Sequence, residues 1–181
     1  MYDKDAVQVA GRQLLKRIAE VMDGVEWARF LELADMLPRA RNTFVTGAGR
    51  SGLVARSFGM RLMHAGLGAF IPGETITPAA GKDDLLVAIS CTGQTGITGY
   101  IAQRARSLGA KVVVLTAEAQ SPLTRAADKV VLIPVVDENI VLRAAIFEHA
   151  ASLCLDAVFN VLSGRLKLDM TEYRRRHANL E

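Results

Sequence analysis

The chain has 181 residues with a formal net charge of +3 at pH 7; 50% of its residues are hydrophobic and 23% are charged. This composition is typical of one globular domain with a substantial core and excludes a low-complexity chain. The two cysteines imply no disulfide framework, and the low aromatic content of 6% disfavours a nucleic-acid partner. The sequence also lacks a run of 18 consecutive apolar residues, which disfavours a membrane span. We therefore expect a cytoplasmic protein.

Two amphipathic helices are predicted at the beginning of the chain, over residues 7–22 and 27–37. Short apolar runs then alternate with segments of helical spacing. The apolar runs predict strands at residues 43–46, 68–71, 85–89, 111–116 and 129–133. The intervening segments predict helices at residues 51–64, 96–108 and around 122–127. Because the strands are continuous apolar runs, they predict a parallel sheet that is covered on both faces.

The longest predicted helix, over residues 139–162, has apolar side chains on nearly every face. A helix of this kind is buried on all sides, which in one small domain requires a partner subunit, so we expect a symmetric homo-oligomer. We predict one domain over residues 1–181. Its parts are N-terminal helices over 1–40, a sheet core over 41–135, and the long helix with a C-terminal tail over 136–181.

The segment 90–95, with the sequence SCTGQT, follows a predicted strand and precedes a predicted helix. The hydroxyls of Ser90, Thr92 and Thr95 there meet free backbone N–H groups and the positive end of a helix dipole, which suits a phosphate. Gly93 lets the backbone approach the ligand closely. The segment lacks the lysine of nucleotide-binding loops and therefore suits a sugar phosphate better. An ordinary polar turn with a threonine cap is the alternative.

The segment 47–52, with the sequence GAGRSG, fits the G-x-G-x-x-G pattern of dinucleotide-binding folds, and Glu74 follows near the spacing of a ribose-binding acid. However, Pro72 and Gly73 separate Glu74 from the strand end, and a dinucleotide does not need the second anion loop. The competing interpretation places this loop over the same small ligand, where Arg50 donates to a phosphate oxygen. A surface arginine is the alternative for Arg50.

Glu148 stands in the most apolar helix, where desolvation disfavours its charged form and raises its pKa. A raised pKa suits a general base that takes a proton and returns it. A carboxylate paired with an arginine at a subunit interface is the alternative. The histidines show no metal-ligand spacing, so no metal is expected. His177, in the polar tail, is either solvated or delivered into a neighbour's cleft as an acid-base group.

Segments 47–55 (GAGRSGLVA), 60–64 (MRLMH), 73–79 (GETITPA) and 176–181 (RHANLE) together resemble the 6-phospho-3-hexuloisomerases of the sugar isomerase (SIS) domain family. The likeness runs from about Val45 to the last residue. It implies a flavodoxin-like three-layer αβα sandwich with a five-stranded parallel sheet, assembled as a tetramer of paired dimers. The segment 135–143 departs from the family pattern, so the approach to Glu148 is expected to differ.

The resemblance also implies an enzyme that isomerises D-arabino-3-hexulose 6-phosphate to fructose 6-phosphate through an enediol, in formaldehyde assimilation by the ribulose monophosphate pathway. It implies no metal and no cofactor, with Glu148 as the base and His177 contributed by a neighbouring subunit. The predicted substrate-binding residues are those of the two loops: Gly49, Arg50, Ser51, Ser90, Thr92, Gly93, Gln94 and Thr95.

Gln94 departs from the family, whose loop commonly reads Ser-Gly-Ser-Gly-Glu-Thr. The change removes a negative charge beside the anion and should not weaken phosphate binding, but it leaves Gln94 without acid-base chemistry. Three other functions stay open. They are a sugar-phosphate-binding module without turnover, an isomerase of another phosphosugar, and a nicotinamide-dependent enzyme.

Overall fold

Five apolar segments form one parallel sheet in the computed structural model, which describes residues 5–180. The strands are β1 (Thr43–Gly47), β2 (Ala69–Phe70), β3 (Leu85–Ile89), β4 (Lys111–Thr116) and β5 (Lys129–Leu132). Their order is β2-β1-β3-β4-β5, and every neighbouring pair is parallel. All five residues of the central strand β3 are buried, as expected for a continuous apolar run in a covered sheet.

Helices cover both faces of this sheet. They are α1 (Ala6–Asp23), α2 (Trp27–Met36), α3 (Arg50–His64), α4 (Gly96–Ser107), α5 (Ile140–Leu166) and α6 (Met170–Arg175). The larger core packs α1, α2, α3 and α5 against one face, whereas the smaller core packs α4 against the other. Successive residues of β3 pack alternately into the larger and the smaller core, because successive side chains of a strand point to opposite faces of the sheet. The predicted three-layer αβα sandwich is thereby confirmed.

The helix predicted around residues 122–127 is shorter than expected. Only Thr124–Ala126 forms a single 3₁₀ turn between β4 and β5. Ser121 and Thr124 close this turn reciprocally: the Ser121 N–H donates to Thr124 Oγ1 at 2.9 Å, and the Thr124 N–H donates to Ser121 Oγ at 3.2 Å. Ala127 is already extended, with ψ 141°, so the chain enters β5 before a second turn can form.

The long apolar helix α5 begins after Asn139, whose side chain accepts hydrogen bonds from the N–H groups of Val141 and Leu142 at 3.0 and 3.2 Å. By length and composition α5 could cross a membrane, but a buried core helix meets the same criteria, and 50% of its most apolar stretch is buried here. Apolar side chains remain exposed on it, among them Leu153 at 49% and Val161 at 43%. The predicted oligomer would cover such side chains, and it stays a prediction.

The two glycine- and hydroxyl-rich loops meet at one edge of the sheet. β1 and β3 are neighbours, yet α3, which follows β1, covers one face and α4, which follows β3, covers the other. In open parallel sheets such a change of direction leaves a crevice beyond the carboxyl ends of the two strands, where ligands bind. The fold therefore directs both predicted loops into the same crevice.

Candidate functional site

The hydroxyl-rich loop of residues 90–95 folds around its own backbone at the end of β3. Ser90 is buried, its Oγ lies 3.2 Å from Thr95 Oγ1, and it accepts a hydrogen bond from the Gly93 N–H at 3.2 Å. The Gln94 N–H donates to Thr92 Oγ1 at 3.3 Å, while the Gln94 side chain is exposed. The three predicted hydroxyls are thus gathered in one short loop.

Gly93 is required by its surroundings as well as by its backbone. Its φ is +61°, a conformation that side chains disfavour, and a Cβ atom there would lie 2.1 Å from Ser121 Oγ. The loop therefore packs directly on the segment that follows β4. A larger residue would push the loop and Ser121 apart and disturb the position of its hydroxyls.

The first turns of α3 and α4 are available to an anion. Within the described residues, Thr95 before α4 makes no side-chain capping hydrogen bond, and Gly49 before α3 has no side chain that could make one. The threonine cap considered above is therefore not formed. Uncapped N–H groups together with the positive helix ends favour an oxyanion in the crevice.

Arg50 and Glu148, which were predicted separately, contact each other. Arg50 Nε lies 3.0 Å from Glu148 Oε2, across the interface of α3 and α5. The Glu148 side chain is only 13% exposed, whereas that of Arg50 is 55% exposed. Burial raises the pKa of Glu148, as predicted, while the charges of Arg50 and His149 oppose the rise. The predicted base thus has an arginine partner from its own chain, and not one from across a subunit interface.

Glu74, the acid considered for a nucleotide ribose, lies in the loop after β2 and pairs with Arg56 at 3.5 Å. Ser51 is buried in the first turn of α3. Among residues 5–180, no group of three His, Cys, Asp or Glu side chains could hold a metal ion.

A second ion pair, between Arg143 and Glu118, lies beside the same loop and was not predicted. Arg143 Nη2 contacts Glu118 Oε1, and Arg143 Nε donates to the Val135 carbonyl at 3.4 Å. Burial raises the pKa of the Cys91 thiol; the charge of Arg143 lowers it, and those of Glu148 and Glu118 raise it further. The only sequence indication was the departure of segment 135–143 from the family pattern.

His177 does not lie near Glu148 within this protomer. Its ring stacks on His64 with 3.9 Å between centroids, and Tyr173 contacts both rings edge-on. His64 is the last residue of α3 and Arg50 is the first, so the helical rise separates their backbones by about 20 Å. If His177 acts on the same substrate as Glu148, it must come from another subunit, which stays a prediction.

His64 gives the fold an expected sensitivity to acid. It is 3% exposed, its Nδ1 has no hydrogen-bond partner among the described residues, and burial, then His177 and Arg61, lower its pKa from 6.5. Below about pH 6.5, His64 is protonated in the unfolded chain but stays neutral in the folded chain. The unfolded state therefore binds more protons, and the free energy of unfolding should fall as the pH falls.

Urea unfolding between about pH 8 and about pH 5 measures this dependence. His64→Gln should flatten the curve, whereas the control His149→Gln, which changes an exposed histidine, should not. An unchanged curve in His64→Gln would assign the pH dependence to other groups.

Residues 36–159 match the SIS domain family. The chain is 34% identical to a 3-hexulose-6-phosphate isomerase from Mycobacterium gastri over 190 aligned positions, covering 97% of this chain and 96% of that protein. It is 35% identical to the enzyme of that name from Methanocaldococcus jannaschii over 156 positions, covering 86% of each chain.

A solved structure from Methanococcus jannaschii, for which a 3-hexulose-6-phosphate isomerase function has been inferred, superposes with a TM-score of 0.83. The two chains are 31% identical, and the match covers 98% of this chain and 99% of the other. These matches confirm the predicted resemblance and the predicted enzyme class, an isomerase. The roles of the individual site residues stay predictions.

Proposed function

The chain belongs to the SIS domain family, and on this premise we propose that it isomerises D-arabino-3-hexulose 6-phosphate to fructose 6-phosphate. The observation that carries the proposal is the 3.0 Å ion pair of the mostly buried Glu148 with Arg50, at the crevice that the two loops share. The pair supplies a carboxylate for proton transfer and a cation for a phosphate. The relatives of this name support the choice of substrate.

The proposed reaction moves one proton between carbons and one between oxygens. Glu148 removes the proton from C2; the electron pair of that bond forms C2=C3, and the carbonyl electron pair moves to O3. O3 then gains a proton while O2 loses one, and His177 is the group that we assign to this transfer. As the C2 carbonyl forms, Glu148 returns its proton to C3. The product is an isomer, so no atom is gained or lost.

The phosphate orients the sugar without taking part in the bond changes. Hydroxyls of Ser90, Thr92 and Thr95, with the first turn of α4, would hold its oxygens. Ser51 and Gly49 would close the other side of the crevice. Arg50 is exposed enough to turn from Glu148 to the phosphate, so substrate binding would change the partner of the base.

We extend the proposal to the setting that the resemblance implies. The enzyme would act in the cytoplasm, in formaldehyde assimilation by the ribulose monophosphate pathway, as a tetramer of paired dimers. The exposed apolar side chains of α5 support an assembly, because burial of such surface is favourable.

The test is a turnover assay with a panel of phosphosugars. Purified protein is supplied with 3-hexulose 6-phosphate, an aldopentose 5-phosphate and an aldohexose 6-phosphate, and each ketose product is measured. We expect turnover of 3-hexulose 6-phosphate. Turnover of another sugar alone would refute the substrate, and tight binding without any turnover would favour the sugar-phosphate-binding module.

A further inference from the structure

The ion pair of Arg143 and Glu118 has no role in the chemistry described so far. Arg143 lies in the first turn of α5, and Glu118 follows β4. Their side chains are 23% and 38% exposed, so most of the Arg143 side chain is shielded from water. The two residues reach each other from separate elements at the carboxyl edge of the sheet.

Hydrogen bonds tie this pair to the predicted phosphate loop. The Glu118 N–H donates to Thr116 Oγ1 at 3.2 Å, and Thr116 Oγ1 donates to the Cys91 carbonyl at 3.2 Å. Cys91 directly follows Ser90, and its thiol is within electrostatic reach of Arg143, Glu118 and Glu148. Cys91 is therefore close enough to feel the charge of Glu148 as well as those of Arg143 and Glu118.

Helix stability does not account for a cation at this position. The N-terminal turn of a helix carries the positive end of the dipole and disfavours arginine, and the first turn of α5 contains no acidic residue to compensate. Arg165 provides the contrast: it lies in the last turn of α5, where the dipole favours a cation, and pairs with Asp35 at 41% exposure. Partly buried ion pairs also add little net stability. The position of Arg143 is better explained by a ligand.

We propose that Arg143 is a further catalytic residue of the isomerisation and donates hydrogen bonds to O3 of the sugar, where negative charge develops in the enediolate. Glu118 is its positioning residue. The inference rests on the proposed function. Arg143 keeps its proton throughout, because it acts only as a hydrogen-bond donor, and the protons still move through Glu148 and His177. Arg50 is less suited to O3, since the phosphate and Glu148 already compete for it.

The experiment compares Arg143→Gln, Arg143→Lys and Arg165→Gln in the assay for fructose 6-phosphate formation. Loss of an oxyanion donor lowers kcat by roughly 10²–10³-fold, so Arg143→Gln should show this loss with little change in KM. Arg143→Lys should retain more kcat than Arg143→Gln, and the control Arg165→Gln should match the parent. Guanidinium ion, at concentrations too low to unfold the protein, should raise kcat only for Arg143→Gln.

A parent-like kcat in Arg143→Gln, while the parent turns over its substrate, would overturn the inference and leave the proposed function intact. A loss that neither guanidinium ion nor lysine restores would also overturn it, because it would indicate a structural role. If Arg143→Gln fails to fold, the variant Glu118→Gln is measured instead, because it keeps Arg143 but removes its ion-pair partner. In Glu118→Gln, kcat should fall while KM stays unchanged. A parent-like kcat in Glu118→Gln would refute the assignment. Absence of isomerase activity in the parent would refute both proposals.

Discussion

Replacing Glu148 by glutamine is expected to lower kcat for the proposed isomerisation by roughly 10²–10⁴-fold, the range for loss of a general base. Glutamine nearly preserves the size of this mostly buried side chain and leaves Arg50 an oxygen to contact, so the fold should persist. It removes the basic carboxylate that accepts the C2 proton, and an amide oxygen is too weak a base to replace it. Initial rates of fructose 6-phosphate formation measure the effect.

Asp156→Asn is the matched control. Asp156 also lies on α5 and pairs with an arginine of α3, Arg61, at 2.6 Å, but far from the crevice. A parent-like rate is expected there. Equal turnover in Glu148→Gln and the parent would remove Glu148 from the mechanism.

The pH profile gives a second readout for Glu148. The base must be ionised at the start of the reaction, so kcat/KM falls on the acid side as Glu148 gains a proton. Because burial raises its pKa, this fall should occur above the ordinary value of 4.5 for glutamate, even though Arg50 opposes the rise. Glu148→Gln should lose this acid limb from its residual activity.

The sheet could be predicted from sequence because each strand contains a run of consecutive apolar residues, longest in the central strand β3. In β3 every residue is buried, so the run marks both the strand and the helices that cover it. The segment around 122–127 was harder, since Ala127 already has an extended backbone with ψ 141° and ends the helix after one turn. An early change to extended backbone shortens a helix without changing the apolar pattern of its sequence.

The site could be predicted only in part, because some of its contacts join distant elements. Glu148 was identifiable as a lone acid in an apolar helix, and the loop of residues 90–95 by its hydroxyls. Nothing in the sequence indicated that Arg50 would contact Glu148. Arg50 was predicted to bind the phosphate, and Glu148 was predicted to act as the base. Arg143 and Glu118 resemble surface charges until the fold brings the start of α5 beside the end of β4.

Mixed assemblies of Glu148→Gln chains and His177→Asn chains are expected to recover activity that neither variant has alone. Within one protomer His177 stacks on His64 at the far end of α3 from the crevice, about 20 Å from the Arg50–Glu148 pair by helical rise. If a neighbouring subunit supplies His177, a mixture creates sites in which a native Glu148 and a native His177 meet. With random, equal mixing in a symmetric assembly, about one site in four has both.

The measurement is kcat per site after the two chains are unfolded together, refolded and shown to be mixed by native mass spectrometry. A mixture of Glu148→Gln chains with Glu148→Gln/His177→Asn chains is the control, because none of its sites holds a native Glu148. A verified mixture that is no more active than the separate variants would place His177 outside the neighbour's site, and full activity of His177→Asn alone would remove it from the reaction. Residues 178–180 are exposed, and contacts of Tyr173, Arg176 and His177 with His64 hold the tail against the end of α3, so delivery to a neighbour would exchange these contacts for others in the neighbour's site.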